Sequence, residues 1–264
     1  LEGLFLALAR RLHEQMEALR AADRTRRELL TNVSHDLRTP LTTLLTHLES
    51  VAGNGDRLTE PERAEYLAVA MRQTRRVIDL VEQLLQAAKL EAGAVVPDPE
   101  PFLMCELAQD VVQKFQLTAR ERGVTLLLEA PPGRGWVRAD VGLIERVLDN
   151  LIGNALQHAP PASTVRVRLS IREEASIRVE VMDEGQGLSA DEAAHVFDRF
   201  FRKEKGRSAP AGHAGLGLSI VQGILRLHGA TAWVESRQGR GACFAFELQT
   251  VKVPTSTGAG AVAT

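Results

Sequence analysis

Apolar residues recur at alternating steps of three and four through the first third of the chain, the spacing of helices that bury one seam in a bundle. Leu30, Leu37, Leu41, Leu44, Leu48 and Val51 form one series; Leu67, Ala70, Thr74, Val77, Val81, Leu84 and Ala88 form another. Between them Gly53-Asn54-Gly55-Asp56 breaks the pattern, and Thr59 and Glu62 stand at capping-box spacing around Pro61, which suits a first turn. This predicts a helical hairpin. A lone hairpin cannot cover both seams, so a homodimer closing a four-helix bundle is the economical arrangement; the alternative is that both seams pack on the rest of the chain.

Gly93 and the cluster Pro97, Pro99, Pro101 mark a linker, and beyond it the period changes. Helices are predicted near Leu103 to Arg122, over Val141 to Gln157 and near Leu216 to Leu227. Strands are predicted at Val124–Leu128, Trp136–Val137, Val165–Ile171, Ile177–Met182, Thr231–Val234 and Ala242–Leu248. This mixed order gives an α+β fold: the hairpin followed by an α/β sandwich with helices covering one face of a sheet. The expected divisions are 1–23, an amphipathic helix carrying Leu4, Leu8, Leu12 and Leu19; 24–93, the hairpin; 94–101, the linker; 102–250, the sandwich; and 251–264, a small polar tail expected to be disordered.

The 264 residues, formal charge of -2, 44% hydrophobic and 25% charged content fit a soluble two-domain chain and point away from a nucleic-acid partner. Cys105 and Cys243 lack metal-ligand spacing, which suits a reduced compartment. No apolar run approaches the roughly 20 residues of a membrane helix. The chain begins at Leu1 rather than Met. It reads as a piece of a longer protein, and any membrane association would come through an upstream segment.

Candidate chemistry sits first in Ser34-His35-Asp36-Leu37-Arg38-Thr39-Pro40. His35 and Asp36 fall off the apolar seam. An imidazole there can meet a phosphoryl donor, with one ring nitrogen free to attack near neutral pH and Asp36 orienting the other and taking its proton. Thr39 lies one turn on, where its hydroxyl can position a water, and Pro40 would loosen the helix just past the site. The bland reading, a solvated surface histidine, is decided by the rest of the chain.

Four elements follow in the sandwich. Asn150 and Asn154, one turn apart on a helix, offer amide oxygens suited to Mg2+. Asp183-Glu184-Gly185-Gln186-Gly187 follows a strand, where Asp183 can accept from an adenine amino group and the glycines let backbone approach the base, although Asp-Glu-Gly is also an ordinary turn. Gly212-His213-Ala214-Gly215-Leu216-Gly217-Leu218 leads into a helix whose amides form an anion site. Gly239-Arg240-Gly241 serves at least as a hairpin turn. The polar segment with Phe197, Arg199, Phe200, Phe201, Arg202, Lys203 and Lys205 suggests a mobile lid in which Arg202 or Lys203 neutralises phosphate, with the phenylalanines as lid anchors or core residues. His13, His47, His195, His213 and His228 read as structural or surface residues.

With these residues assembled, the chain from about His35 to Leu248 resembles the cytoplasmic catalytic core of a bacterial two-component sensor histidine kinase. The resemblance implies ATP and Mg2+ as cofactors, autophosphorylation of His35 with Asp36 as base, transfer to an aspartate of a response regulator receiver domain, and regulator dephosphorylation involving Thr39. It assigns Asn150, Asn154, Gln157, His158, Asp183, Gly185, Gly187, Phe197, Arg202, Lys203, Gly215, Leu216, Gly217 and Leu218 to the ATP site, with Asn154 as the metal ligand. It also implies a cytoplasmic portion of an inner-membrane-anchored protein. Gln157 stands where the family commonly has lysine and His158 where it has an aromatic residue, so charge neutralisation shifts to Arg202, Lys203 or Mg2+. Two rivals are an ATPase of the same nucleotide fold, disfavoured because Asn150 stands where such enzymes carry a glutamate, and a non-catalytic dimeric scaffold.

Overall fold

The computed structural model describes residues 11, 15–17, 31, 33–34, 36–53, 58–132, 135–172, 175–201 and 215–252. They form two compact units, the first reaching Glu82 and the second starting at Gln83. The amphipathic stretch expected at 1–23 and the tail beyond 252 fall almost wholly outside the described residues.

The first unit holds α1 over residues 36–53 and most of α2, which runs over Glu60–Glu91 and ends within the second unit. Pro40 is buried inside a stretch that is helical on both sides of it. At the start of α2 the Thr59 N–H donates to the Glu62 carboxylate at 2.8 Å, as a capping box requires. The Thr59 hydroxyl, however, donates to that same carboxylate at 2.8 Å. These bonds hold the Glu62 pKa below its ordinary value.

The single seam expected on α2 resolves into two heptad series, one residue out of phase. Tyr66, Ala70, Gln73, Val77, Leu80, Leu84 and Ala87 face inward, with Ala70, Leu80 and Ala87 buried. Tyr66 meets His47 of α1 edge-on at 5.4 Å between ring centroids. Leu67, Met71, Thr74, Ile78, Val81 and Leu85 face outward, Met71 58% and Leu85 56% exposed. On α1 the outward set is Leu41, Leu45 and Leu48. A helix with one apolar face on its hairpin partner and a second at 3.5-residue spacing is built to meet a further helix.

The second unit is a five-stranded sheet, with β2 (Thr125–Glu129), β4 (Thr164–Arg172), β5 (Ser176–Asp183), β7 (Ala242–Gln249) and β6 (Ala232–Ser236) side by side in that order. The β2–β4 pair is parallel and the others antiparallel. A small second sheet pairs β1 (Glu100–Leu103) with β3 (Trp136–Ala139). The helices are α3 (Met104–Glu121), α4 (Val141–His158), the short α5 (Ala190–His195) and α6 (Gly217–Leu227). β1 lies partly within the stretch expected as linker; the proline cluster 97, 99 and 101 masked it in the sequence, yet Pro101 is tolerated on a short edge strand.

Strand alternation builds the core. Val165, Val167, Leu169, Ile177, Val179, Val181, Phe244 and Phe246 point to the helix-covered side and are buried against Ile144, Leu148, Leu151, Ile152, Ile220 and Ile224. The opposite residues carry charge: Glu129 pairs with Arg166 and Arg168 at 2.8 Å, and Arg178 pairs with Glu247 at 2.7 Å while lying 5.1 Å from the Trp233 ring. Cys105 and Cys243 are free and half-buried, and burial pushes the Cys243 thiol up to about 11. Among the described residues, no helix is long and apolar enough to cross a membrane.

The base of the second unit is tied by Asp140, the N-cap of α4. Its carboxylate accepts from the Leu143 and Asp98 N–H groups, each at 3.0 Å, and its own N–H donates to His228 Nε2 at 3.0 Å. His228 Nδ1 sits 2.9 Å from the Ile224 carbonyl, which identifies a neutral, structural histidine with its proton on Nδ1. Burial works to raise the Asp140 pKa, but the N–H bonds outweigh it and the net shift is downward from 3.8. A depressed folded-state pKa contributes stability that is present above the unfolded value and fades as pH falls through the folded one. Asp140→Asn is therefore expected to lower the melting temperature at pH about 7, with the gap to the wild type closing below pH about 4; a gap unchanged across that range would contradict the assignment.

Candidate functional site

The strand alternation that fills the core carries Asp183 to the same side as Val179 and Val181, so its carboxylate ends β5 on the helix-covered face, 7% exposed. Its Oδ1 accepts the Gly185 N–H at 2.8 Å, turning the chain sharply at the strand end. Gly185 is hemmed in: a Cβ there would stand 2.6 Å from the His158 carbonyl and 2.8 Å from Asp183 Oδ1. The Asp183–Gly187 loop thus backs directly on the last turn of α4.

The middle of α4 meets the second glycine motif. A Cβ on Gly217 would lie 2.8 Å from Asn150 Oδ1, so the first residue of α6 sits against the Asn150 amide. Asn150 Nδ2 donates to the Arg146 carbonyl at 2.8 Å, which fixes the orientation of that amide. The N-cap of α6, Leu216, has an apolar side chain that makes no capping hydrogen bond. Gly215, at φ +68°, adopts a conformation that favours glycine, and its carbonyl accepts the Phe200 N–H at 2.9 Å. Phe200 is itself left-handed at φ 60°, so the chain on either side of 202–214 is pinned together at one strained point.

From Asn150 to His158 the helix advances about 12 Å. Along that face lie Asn154 and Gln157, both half-buried, and no carboxylate. The Asn154 amide makes no hydrogen bond to a described residue. Leu216 is buried and Leu218 half-buried. Asp149 points elsewhere and is held by Lys114 of α3 at 2.8 Å, with Glu145 3.3 Å from the same ammonium. The hydrogen bond to Asp149 raises the Lys114 pKa. Phe197 stacks edge-on against Phe244 of β7 at 6.1 Å, which gives it an anchoring place on the sheet. Arg199 pairs with Glu91 at 2.7 Å.

In the first unit Asp36 is half-buried and Thr39 exposed, with the Thr39 carbonyl accepting from the Thr43 hydroxyl at 3.1 Å. His35, Arg202, Lys203, Gly212 and His213 lie outside the described residues.

Sequence reasoning missed three contributors. Ser189 and Glu192 form a complete capping box on α5, a signal written in their spacing. Lys114, on another helix, carries no local signal. The turn after β6 is more than a hairpin connection, because Gly239 N–H donates to the Gln186 carbonyl at 2.6 Å and a Cβ on Gly241 would run into the Asp183 carbonyl.

A buried carboxylate beside a crowded glycine turn, joined by an amide-lined helix face to a glycine-led helix start, is an arrangement suited to a nucleotide. In agreement, residues 139–252 match the family described as histidine kinase-, DNA gyrase B- and HSP90-like ATPase. Residues 25–93 match the His Kinase A (phospho-acceptor) domain. The chain belongs to the sensor histidine kinases. It is 34% identical over 227 residues to the sensor histidine kinase WalK of Bacillus subtilis, a match covering 86% of this chain and 37% of WalK. It is 33% identical over 246 residues to the sensor protein DivL of Caulobacter vibrioides, covering 92% of this chain and 30% of DivL. The chain thus spans about a third of these relatives' length. Among solved structures, full-length ShkA in complex with AMPPNP superposes with a TM-score of 0.64 at 27% identity, over 86% of this chain and 47% of that one.

The two crowded glycines give a direct test. Gly185→Ala must displace either the His158 carbonyl or the Asp183 carboxylate, and is expected to weaken binding of a fluorescent ATP analogue about tenfold or more, about 1.4 kcal/mol. Unchanged affinity in a titration would show that this loop does not touch the nucleotide.

Proposed function

We propose that this chain is an ATP-dependent autokinase that phosphorylates His35 and passes the phosphoryl group to an aspartate of a response regulator. The observation that carries this reading is the pairing of cradles along the C-terminal half of α4: buried Asp183 with Gly185 at its last turn, Asn150 with Gly217 near its middle. Asp183 accepts the adenine amino group, Gly185 and Gly187 admit the base, and Gly215, Leu216, Gly217 and Leu218 direct backbone amides at the phosphates. His158 and Gln157 line the face between, and Phe197 anchors the start of the segment carrying Arg202 and Lys203, which neutralise the transferring group. The Asn154 amide oxygen would hold Mg2+, which would supply further charge neutralisation. Among the described residues no cluster of three His, Cys, Asp or Glu is arranged to hold a metal by protein ligands alone.

In the reaction a ring nitrogen of His35 forms a bond to the γ-phosphorus as the bond to the ADP oxygen breaks. ADP leaves with the electron pair, and Asp36 takes the proton from the other ring nitrogen. The regulator's aspartate then receives the phosphoryl group. Thr39, exposed one turn from His35, positions a water that attacks the regulator's aspartyl phosphate, releasing inorganic phosphate and the free carboxylate. Autonomous ATP hydrolysis is disfavoured: no carboxylate lies on the α4 face from Asn150 to His158, and Asp149 is engaged by Lys114.

The active form is a homodimer. Two outward heptad faces, Leu41/Leu45/Leu48 and Leu67/Met71/Ile78/Val81/Leu85, support this, since a four-helix bundle covers both.

His35→Gln is expected to abolish transfer of label from γ-labelled ATP to the chain while nucleotide binding stays within about twofold of the wild type. The wild-type label should be lost in acid and kept in base. Undiminished labelling of the variant would overturn the assignment of His35. Steady phosphate release by the wild type with no labelling would favour an ATPase.

A further inference from the structure

We propose that Ser236 is a positioning residue for nucleotide selection, acting through the loop that carries Asp183. Ser236 ends β6 opposite Ala242 of β7, and Ala242 in turn stands opposite Asp183 of β5, so the three share one row across the sheet. The Ser236 hydroxyl accepts the Leu188 N–H at 2.8 Å and donates to the Gly241 carbonyl at 2.6 Å. One oxygen thereby joins the far end of the Asp183 loop to the turn at 237–241. The turn reciprocates through Gly239 N–H and the Gln186 carbonyl at 2.6 Å. Steric fit completes the lock, because a Cβ on Gly187 would collide with the Arg237 carbonyl and one on Gly241 with the Asp183 carbonyl.

A group that both donates and accepts at this short reach must be a serine or threonine hydroxyl. Without it, the half-buried Leu188 N–H and the buried Gly241 carbonyl lose their partner, and the turn no longer fixes the loop. Asp183 then keeps its place on β5, but the glycines after it no longer hold the base against its carboxylate. The inference rests on the reading of Asp183 as the adenine acceptor. It adds that base selection depends on a residue 53 positions downstream that touches no nucleotide.

The test compares Ser236→Thr with Ser236→Val, side chains of equal shape with and without the hydroxyl, alongside Ser236→Ala. Affinities for Mg-ATP and Mg-GTP are measured by competition with a fluorescent nucleotide, and melting temperatures are recorded for each variant. The Val and Ala variants are expected to lose about tenfold in ATP affinity and much less in GTP affinity, so the ATP preference falls, whereas Thr stays within about threefold of the wild type on both. The proposal is overturned if Val and Thr share the same preference, or if ATP and GTP affinity fall together in step with melting temperature. A wild-type chain with no preference for ATP would overturn the reading of Asp183 and this proposal with it.

Discussion

A carboxylate at the end of a strand, on the side the helices cover, is the constraint around which the second unit is arranged. Alternation along β5 puts Asp183 in line with Ile177, Val179 and Val181, and a charged group there is costly unless N–H groups reach it. Gly185 supplies one within two residues, which forces a turn too tight for a side chain. That turn in turn needs backing. The last turn of α4 backs it on one side and the β6–β7 turn on the other, with Ser236 bridging between.

The same helix sets the spacing of the site. α4 is fully buried along Leu148, Leu151, Ile152 and Ala155, so it cannot shift without opening the core. Its polar face therefore holds Asn150 and His158 at a fixed separation, one abutting the start of α6 and the other the Asp183 loop. Lys114 removes the nearest carboxylate, Asp149, from that face. What remains is amide and imidazole, chemistry suited to binding and orienting a polyphosphate rather than to activating water.

Much of this was legible in the residues. Apolar alternation located the sandwich strands, and the glycine and asparagine motifs marked the middle and the last turn of α4, because these signals are local. The phase of the hairpin was not. Two heptads one residue apart sum to a broad apolar band, so Leu67, Thr74 and Val81 read as one seam with Ala70, Val77 and Leu84, though the first three face outward and the second three inward. β1 was hidden by the Pro97, Pro99, Pro101 cluster, and Lys114 and Ser236 by distance: their partners lie 35 and 48 residues away, beyond any pattern of spacing.

The most direct measurement is a backbone-amide NMR titration of the isotope-labelled chain with magnesium and a non-hydrolysable ATP analogue. Saturable shifts are expected at Gly185 and Gly187, at Gly217 and Leu218, and at the Asn154 side-chain amide, with little change at Arg168, Arg178 or Glu247 on the opposite face of the sheet. Shifts clustered on that opposite face, or none at millimolar nucleotide, would contradict a pocket spanned by α4.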